Sequence, residues 1–200
     1  MNKRLGVISD THGEMEGWSR ALGLWGRIDG VLHAGDVLSP GAEELADSIR
    51  TVPFPVIISK GNIDSPEDEG LLGRPLMAPY CTVWWNGLLI LVGHGDHFPR
   101  LRETALSCGA DLVVYGHTHI SSIVREGGTI FLNPGSASLP KGRDPASAAL
   151  LDEEGISIFV LQNGELLHRE PWQPDRSTAD NFRGRFNGSS GRSRESTATE

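Results

Sequence analysis

Short apolar runs alternate with amphipathic stretches along the first 60 residues of the chain. Residues 5–9 (LGVIS), 31–34 (VLHA) and 56–59 (VIIS) are apolar runs that stop at glycine or polar residues typical of loops. Residues 14–25 carry apolar side chains three and four positions apart, which predicts an amphipathic helix, and residues 41–50 predict a second helix. The order strand, helix, strand, helix, strand predicts parallel strands covered by helices.

The second half of the chain predicts hairpins instead. Two apolar runs flank Asn86-Gly87, a dipeptide that favours a tight type I′ turn. A helix over 99–108 and a buried strand over 111–115 are also predicted. Parallel units followed by hairpins predict an α/β protein, with a mixed sheet or two packed sheets and flanking helices. Hairpins are predicted at 81–92, 121–133 and 147–160.

The character of the sequence changes near its end. Residues 173–200 are rich in Ser, Thr, Gly, Asn and Arg and show no apolar periodicity, which predicts a disordered tail. The 200 residues are enough for one ordinary domain, and we expect that domain to span residues 1–172.

The composition disfavours several classes of protein. Lys and Arg total 18 against 26 for Asp and Glu, so the formal net charge is −8, which argues against a dedicated nucleic-acid or anionic-membrane binder. The two cysteines cannot form a disulfide framework and suit a reducing compartment. No run approaches the roughly 18 apolar residues of a membrane span, and the first residues lack the apolar core of a secretory signal. We therefore expect a cytoplasmic protein without membrane association.

Polar residues that bind metals follow the ends of five predicted strands. The carboxyl ends of parallel strands line the binding crevice of open α/β sheets, so we expect these side chains to converge on one edge. Taken singly, each has an ordinary structural interpretation, since Asp often caps helices and Asn often occupies turns. The convergent set is Asp10, His12, Asp36, Asn62, His94, His117 and His119.

The number and kind of these groups predict a dinuclear metal site. Seven groups exceed what one tetrahedral ion needs, and they suit two ions that share a bridging carboxylate. Imidazoles, carboxylates and one amide oxygen favour Mn²⁺, Fe²⁺ or Zn²⁺ over Ca²⁺, which prefers oxygen ligands alone. Glycines precede four of the seven residues and allow the sharp turns that point such side chains into a crevice.

The motif series DTH, GD, GNID, GH, GHTH and NPGS resembles the calcineurin-like metallophosphoesterase superfamily. The segments GNIDSPEDE, VYGHTH and FLNPGSASLPKGRDPAS are especially similar to its small bacterial YfcE-type phosphodiesterases, and the likeness covers about residues 4–170. The resemblance implies a four-layer α/β/β/α sandwich of two mixed sheets flanked by helices, with two metals at the strand ends. It implies that Asp36 bridges the two metals. One metal would be held by Asp10, His12, Asp36 and His119, and the other by Asp36, Asn62, His94 and His117.

The resemblance also implies a hydrolase acting on phosphoric esters, most simply a phosphodiesterase. A hydroxide shared by two divalent ions attacks phosphorus in line in such sites, and the ions stabilise the charge that develops. We expect Mn²⁺, with Zn²⁺, Fe²⁺ or Ni²⁺ as alternatives. Asp36, Asn62 and His94 are the residues expected to be catalytic.

Other positions bear on substrate and on proton transfer. Many members of the wider superfamily carry a His where this chain has Ile63, and His97 or Asp64 are candidates to replace that missing His. Lys141 and Arg143 are candidate phosphate contacts, because loop cations near an anionic site add affinity for phosphate, but solvated charges are an equally acceptable interpretation. Asn133 either lies near the metal ligands or belongs to a plain tight turn. His33 either supports Asp36 or is a satisfied core histidine. The predicted substrate contacts are Asn133, Lys141 and Arg143.

Two other functions compete with the phosphodiesterase. The first is a binding module of the same fold that holds metal without chemistry, as in the retromer subunit of this fold, which lacks part of the ligand set. The second is a nuclease or a protein phosphatase, which the acidic charge and the short chain disfavour. We expect a small-molecule phosphodiester as substrate and no nucleic acid. A homo-oligomer is consistent with the resemblance, with Trp84-Trp85 as a candidate subunit contact.

Overall fold

The first half of the chain alternates strands and helices, as its pattern predicts. In the computed structural model, which describes residues 3–172, two short elements appear that the pattern does not predict, α3 and β4. Pro66 lies in the first turn of α3, and the Asp68 carboxylate accepts a hydrogen bond from the Ser65 N–H at 2.7 Å. The elements are β1 (Leu5–Ile8), α1 (Met15–Trp25), β2 (Gly30–His33), α2 (Glu43–Thr51), β3 (Val56–Ser59), α3 (Pro66–Leu72) and β4 (Leu76–Met77).

The second half forms the three predicted hairpins and one further strand, β12. The pairs β5–β6, β8–β9 and β10–β11 are antiparallel. Strand β12 pairs with β11 at a sheet edge and is largely exposed, so it lacks the apolar alternation that would have predicted it. The elements are β5 (Cys81–Trp85), β6 (Leu88–Val92), α4 (Phe98–Cys108), β7 (Leu112–Val114), β8 (Ser122–Glu126), β9 (Thr129–Asn133), β10 (Ser147–Leu151), β11 (Gly155–Val160) and β12 (Leu166–Pro171).

The strands form two mixed sheets. The seven-stranded sheet has the order β12-β11-β10-β1-β2-β3-β4, in which β1 to β4 are parallel and β10 joins β1 antiparallel. The five-stranded sheet has the order β5-β6-β7-β9-β8, with parallel pairing among β6, β7 and β9. The predicted tail at 173–200 lies outside the described residues.

Three apolar clusters hold four layers together. Ile8 and Trp18 belong to the cluster between α1, α2 and the outer face of the larger sheet. Val7, the neighbour of Ile8 in β1, points the opposite way, into the cluster between the two sheets. Leu101 of α4 packs with Phe131 on the outer face of the smaller sheet. The predicted four-layer α/β/β/α sandwich is therefore confirmed.

The carboxyl ends of five parallel strands position the site. Strands β1, β2 and β3 are neighbours in one sheet, and β6 and β7 are neighbours in the other. Each strand leads directly into one of the loops that carry the predicted metal-binding residues. Within residues 3–172, no helix combines the length and apolar character needed to cross a bilayer.

Candidate metal centre

One half of the site brings together the loops after β1 and β7. The Nε2 atoms of His12 and His119 lie 3.4 Å apart. The Oδ1 atom of Asp10 lies 3.9 Å from His12 Nε2 and 3.3 Å from His119 Nε2. Potential ligand atoms of these three residues all lie within 4.8 Å of one another, a spacing that suits one bound ion.

The other half brings together the loops after β2, β3, β6 and β7. His94 Nε2 lies 3.3 Å from Asp36 Oδ2 and 2.9 Å from Asn62 Oδ1. His117 Nδ1 lies 2.9 Å from the same amide oxygen and 3.3 Å from His94 Nε2. Asp10, Asp36 and His94 also offer atoms within 4.8 Å of one another, so the two halves adjoin.

The Asp10 carboxylate shows that the first half fits a cation. His119 Nδ1 donates to the Leu139 carbonyl at 2.6 Å, so Nε2 of the neutral ring presents a lone pair to Asp10 Oδ1. That oxygen is fully buried and accepts no hydrogen bond from any residue in the described part of the chain. Burial raises the pKa of Asp10. Acceptors that face each other in a buried site are stabilised by a cation between them.

The second half also favours positive charge. His94 Nδ1 donates to the Ala34 carbonyl at 2.8 Å, which turns Nε2 toward Asp36. Burial alone would lower the pKa of His94, but the hydrogen bond and charge of Asp36 outweigh it and raise that pKa. Burial likewise opposes ionisation of Asp36, yet His94 lowers its pKa overall. The arrangement therefore favours positive charge beside an ionised carboxylate.

His12 differs from these groups because its ring is only partly buried. Burial lowers its pKa, and that effect exceeds the opposing charges of Asp36 and Asp10. The neutral imidazole that results is the form that binds metal.

Backbone conformation at the site is unusual. Among the described residues, six that are not glycine have positive φ angles, and five of these belong to the predicted metal-binding set. Residues other than glycine rarely adopt this left-handed backbone conformation. The conformation costs about 1–3 kcal/mol per residue when the surrounding structure imposes it. The five are Asp10 (φ 54°), His12 (47°), Asp36 (53°), His117 (66°) and His119 (61°).

Glycines leave room for the carboxylates. A Cβ added at Gly61 would overlap Asp36 Oδ1, and one at Gly116 would lie 2.6 Å from Asp10 Oδ2. A Cβ at Gly35 would lie 2.9 Å from His94 Nδ1. These glycines are therefore required by the space around the site, and Gly35 (φ 94°) is also required by its left-handed backbone.

Asp64, a candidate to replace the missing histidine, supports the site from behind. Its Oδ2 accepts hydrogen bonds from Asp36 N at 2.9 Å and Gly61 N at 2.7 Å, and its Oδ1 accepts one from Val37 N at 2.7 Å. Burial raises the pKa of Asp64, and these N–H groups counteract that effect. Because three backbone donors occupy its carboxylate, Asp64 joins the two loops and does not face a leaving group.

The other candidate for proton transfer is exposed to solvent. His97 precedes α4, and its side chain is 88% exposed and lies 3.8 Å from Asp96. Ile63 itself is 48% exposed, and its N–H donates to Asp36 Oδ1 at 3.1 Å. At this position the chain contributes a backbone donor and an apolar surface.

Two predicted substrate contacts lie on an exposed loop beside the site. The Lys141 N–H donates to the His119 carbonyl at 3.2 Å, and the side chains of Lys141 and Arg143 are exposed. Asn133 is fully buried instead, with its Nδ2 donating to Gly116 O and Thr118 Oγ1, both at 2.9 Å. Asn133 thus holds the loop that carries His117 and His119.

Several supporting groups are absent from the sequence predictions. The hydroxyls of Ser136 and Ser138 donate to the Asp10 carbonyl at 2.8 and 3.0 Å. Both serines follow the NPG turn, so that motif is a visible signal even though it does not reveal their partner. The Leu139 carbonyl, which orients His119, carries no sequence signal because any residue supplies a carbonyl.

Comparison with known proteins identifies the family. Residues 4–155 match the family model described as the calcineurin-like phosphoesterase superfamily domain. The chain is 32% identical over 176 residues to phosphodiesterase YfcE of Escherichia coli, covering 82% of this chain and 95% of that protein. It is also 30% identical over 169 residues to a probable metallophosphoesterase of Methanothermobacter thermautotrophicus, covering 80% and 92%.

Solved structures agree with these matches. The structure of YfcE, a phosphoesterase from E. coli, aligns with a TM-score of 0.74 and 28% identity, covering 85% of this chain and 100% of that one. Vps29 of Entamoeba histolytica complexed with Zn²⁺ shares the fold, with a TM-score of 0.66 and 24% identity over 85% and 99% of the two chains. On these grounds the chain belongs to the calcineurin-like phosphoesterase superfamily, as its motifs predict.

Proposed function

We propose that this chain is a phosphodiesterase that works with two divalent metal ions at the strand ends. The observation that carries the proposal is the buried Asp10 Oδ1, which accepts no hydrogen bond from the described residues and faces a lone pair of His119. In the second half, Asp36 Oδ2 and Asn62 Oδ1 both lie within 3.3 Å of His94 Nε2. Cations stabilise such a site, because without them its buried polar groups would lack partners and would cost folding free energy.

The donor chemistry supports particular metals and particular ligands. Mixed imidazole, carboxylate and amide ligands support Mn²⁺ as the working metal, with Zn²⁺, Fe²⁺ and Ni²⁺ as alternatives. Divalent ions in such a site supply Lewis-acid charge and lower the pKa of water to around 7, which generates the nucleophile. We assign Asp36 as the shared ligand. One ion would be held by Asp10, His12, Asp36 and His119, and the other would be held by Asp36, Asn62, His94 and His117.

The protein's own groups fix the site and limit its chemistry. The Ala34 carbonyl holds His94 in one orientation, and Asp36 and Asn62 lie within 3.3 Å of its Nε2 atom. We take Asp36, Asn62 and His94 as the catalytic group. Ile63 offers no proton to a leaving group, so we expect esters with good leaving groups to be hydrolysed most readily.

The surface around the site supports a small substrate. Three half-exposed apolar residues lie next to groups of the site, namely Ile63 (48% exposed), Ile120 (46%) and Leu139 (52%). Ile63 follows Asn62, Ile120 follows His119, and the Leu139 carbonyl accepts from His119. Apolar contacts with the ester groups and a cation from Lys141 or Arg143 suit a small phosphodiester. The acidic net charge of −8 disfavours nucleic acid.

The second candidate function is a metal-binding interaction module without catalysis. Its support is the likeness to vacuolar protein sorting-associated protein 29 of Schizosaccharomyces pombe, which is 26% identical over 144 residues. The name of that relative describes sorting and no hydrolysis. In this function the metals would stabilise a docking surface, and loss of a ligand would weaken a partner complex without affecting any turnover.

Hydrolysis of bis-p-nitrophenyl phosphate separates the two functions. The protein is stripped with a chelator and assayed with added Mn²⁺, beside Asp36→Asn and the matched control Asp111→Asn. Asp111 accepts a hydrogen bond from Leu89 N at the opposite ends of the strands, so its substitution tests the chemical change without touching the site. We expect Asp36→Asn to lose about 100-fold or more of the Mn²⁺-dependent rate, and Asp111→Asn to keep it.

The contrary result is a stripped and reconstituted wild-type protein with no turnover. If Mn²⁺, Zn²⁺, Fe²⁺ and Ni²⁺ all fail to support hydrolysis while a metal still binds, the phosphodiesterase is refuted. The interaction module would then become the better account of the site.

A further inference from the structure

His33 is a fully buried histidine that lies beneath the metal centre without belonging to the predicted ligands. It is the last residue of β2, three positions before Asp36. Its Nε2 lies 3.0 Å from Thr11 Oγ1, and its Nδ1 accepts a hydrogen bond from Gly35 N at 3.2 Å. The ring therefore contacts one loop through Thr11 and the next loop through Gly35.

The hydrogen-bond pattern permits one neutral form of the ring. The single hydroxyl proton of Thr11 is donated to the Val37 carbonyl at 2.8 Å, so Thr11 Oγ1 accepts from His33 Nε2–H. The Gly35 N–H can only donate, so Nδ1 of the ring carries a lone pair. Both ring nitrogens are thus satisfied by groups on two different loops.

These two loops carry the carboxylates and a histidine of the metal centre. Thr11 lies between Asp10 and His12, and Gly35 directly precedes Asp36. Asp10, His12 and Asp36 all have positive φ angles, which the chain does not adopt without external support.

Backbone hydrogen bonds already run between the same loops. The Asp10 N–H donates to the Gly35 carbonyl, and the His12 N–H donates to the Asp36 carbonyl, both at 3.0 Å. The His33 ring adds side-chain hydrogen bonds to these backbone hydrogen bonds between the two loops. Because it bonds to both loops at once, it fixes their separation in a way that neither loop achieves alone.

We propose that His33 is a positioning residue: its bonds to Thr11 and Gly35 set the relative placement of Asp10, His12 and Asp36 and thereby the metal affinity of the site. The inference rests on the proposed metal-binding function and adds to it a residue that acts through ligands. A histidine that merely fills the core would contribute to folding stability and leave metal affinity unchanged.

Three substitutions separate the two bonds of the ring. His33→Gln places an amide donor near the position of Nε2 and loses the acceptor for Gly35. His33→Asn places an acceptor near the position of Nδ1 and does not reach Thr11. His33→Leu loses both bonds. Groups that orient metal ligands typically contribute 10- to 100-fold in affinity, so we expect His33→Leu to weaken Mn²⁺ binding by about that factor and the single-bond variants by less.

A pair of threonines provides the matched control. Thr11 and Thr129 are both buried, and each donates its hydroxyl to a backbone carbonyl, Val37 O at 2.8 Å and Ala110 O at 2.7 Å. Thr129 begins β9, at the end of the sheet away from the site. Thr11→Val and Thr129→Val therefore remove the same kind of bond, but only Thr11→Val disconnects His33. We expect about a 10-fold loss of Mn²⁺ affinity in Thr11→Val and none in Thr129→Val.

The test is calorimetric titration of the metal-free full-length variants with Mn²⁺ at one pH, beside thermal unfolding in chelator to verify that each variant is folded. Weaker Mn²⁺ binding in folded His33 and Thr11 variants, with wild-type affinity in Thr129→Val, supports the inference. Wild-type affinity in folded His33→Gln, His33→Asn and Thr11→Val overturns it. The proposed function fails separately, when the wild-type protein binds metal but none of Mn²⁺, Zn²⁺, Fe²⁺ and Ni²⁺ supports hydrolysis, and a wild-type protein that binds none of these ions overturns both.

Discussion

The strand-end loops of the metal centre and the hairpin tip at Asn86 place residues in the same rare backbone conformation for opposite reasons. At the tip, Asn86 (φ 51°) and Gly87 (φ 84°) form the turn between β5 and β6 and are residue types that tolerate positive φ. At the metal centre five residues adopt the same conformation in neighbouring loops, and three of them are His, which is not a typical turn residue. Local preference therefore explains the tip, and the surrounding structure has to enforce the site.

The contrast shows that the metal centre lowers the folding stability of the protein, whereas the hairpin tip does not. Each strained ligand costs about 1–3 kcal/mol, and the buried Asp10 oxygen without a hydrogen bond adds a further penalty. Asp64, His33 and the hydroxyls of Ser136 and Ser138 hold the loops in place. We expect changes at the site to alter both metal affinity and stability, whereas changes at the tip alter stability alone.

Acid unfolding gives the largest expected difference between the two regions. Burial lowers the pKa of His33 from 6.5 to about 3, so between these pH values the unfolded chain binds a proton that the folded protein excludes. This stabilising contribution is complete above pH 6.5 and is lost as the pH falls toward 3. In chelator, we expect the free energy of unfolding of wild type to fall by about 2.5 kcal/mol more than that of His33→Gln between pH 6 and pH 4. Urea unfolding at a series of pH values measures it, and Asn86→Gly should match the wild-type slope.

Asp10→Asn should raise the stability of the metal-free protein and lower its affinity for Mn²⁺. The amide would donate to His119 Nε2, 3.3 Å from the present Oδ1, and would remove a buried charge that accepts no hydrogen bond there from the described residues. We expect the metal-free protein to gain about 1–3 kcal/mol in unfolding free energy while Mn²⁺ affinity falls by about 100-fold or more. Urea unfolding in chelator and calorimetric titration measure the two effects. A variant that is less stable and still binds Mn²⁺ would contradict the strained-site account.

Gly116→Ala tests the space around the carboxylate. The new Cβ would overlap Ser9 Oγ and lie 2.6 Å from Asp10 Oδ2, so we expect a loss of about 1–3 kcal/mol and weaker Mn²⁺ binding. Gly23→Ala is the matched control, because outside the local backbone of α1 no described atom lies within 4 Å of its added Cβ. That control should gain about 0.5–1 kcal/mol from helix propensity, measured in the same unfolding experiment. Equal effects at the two glycines would argue against a crowded site.

Asn86→Ala should have the smallest effect. Alanine tolerates the left-handed conformation less well than Asn, so we expect a loss of about 1 kcal/mol in unfolding free energy. Mn²⁺ affinity should stay at the wild-type value because the tip is not part of the site. Unfolding and titration of this variant check both statements. A drop in metal affinity would mean that the tip and the site are coupled, which the comparison excludes.

Most elements of the fold follow from the sequence because their patterns are local. The apolar runs at 5–9, 31–34 and 56–59 and the Asn86-Gly87 turn act through propensity and periodicity, which a reader sees directly. Strands β4 and β12 escape prediction because one has two residues and the other is a largely exposed edge. Their pairing depends on neighbours distant in the sequence.

The candidate site likewise has features that the sequence predicts and features that it does not. The convergence of Asp10 and Asp36 follows from a topological rule, since their parallel strands end at one edge of the same sheet. The approach of His94 from the other sheet depends on how the two sheets pack. The orientation of His119 by the Leu139 carbonyl and the clamp made by Asp64 depend on contacts between loops. No single segment encodes these contacts, so they emerge only from the folded chain.

The central claim is that two divalent ions occupy the space between the facing acceptors. The direct measurement is an anomalous difference map from crystals of the wild-type protein grown with Mn²⁺ and recorded at the manganese edge. The account predicts two peaks, one among Asp10, His12 and His119 and one among Asn62, His94 and His117, with Asp36 between them. A map with no peak at these residues, or with one peak elsewhere on the protein, would contradict it.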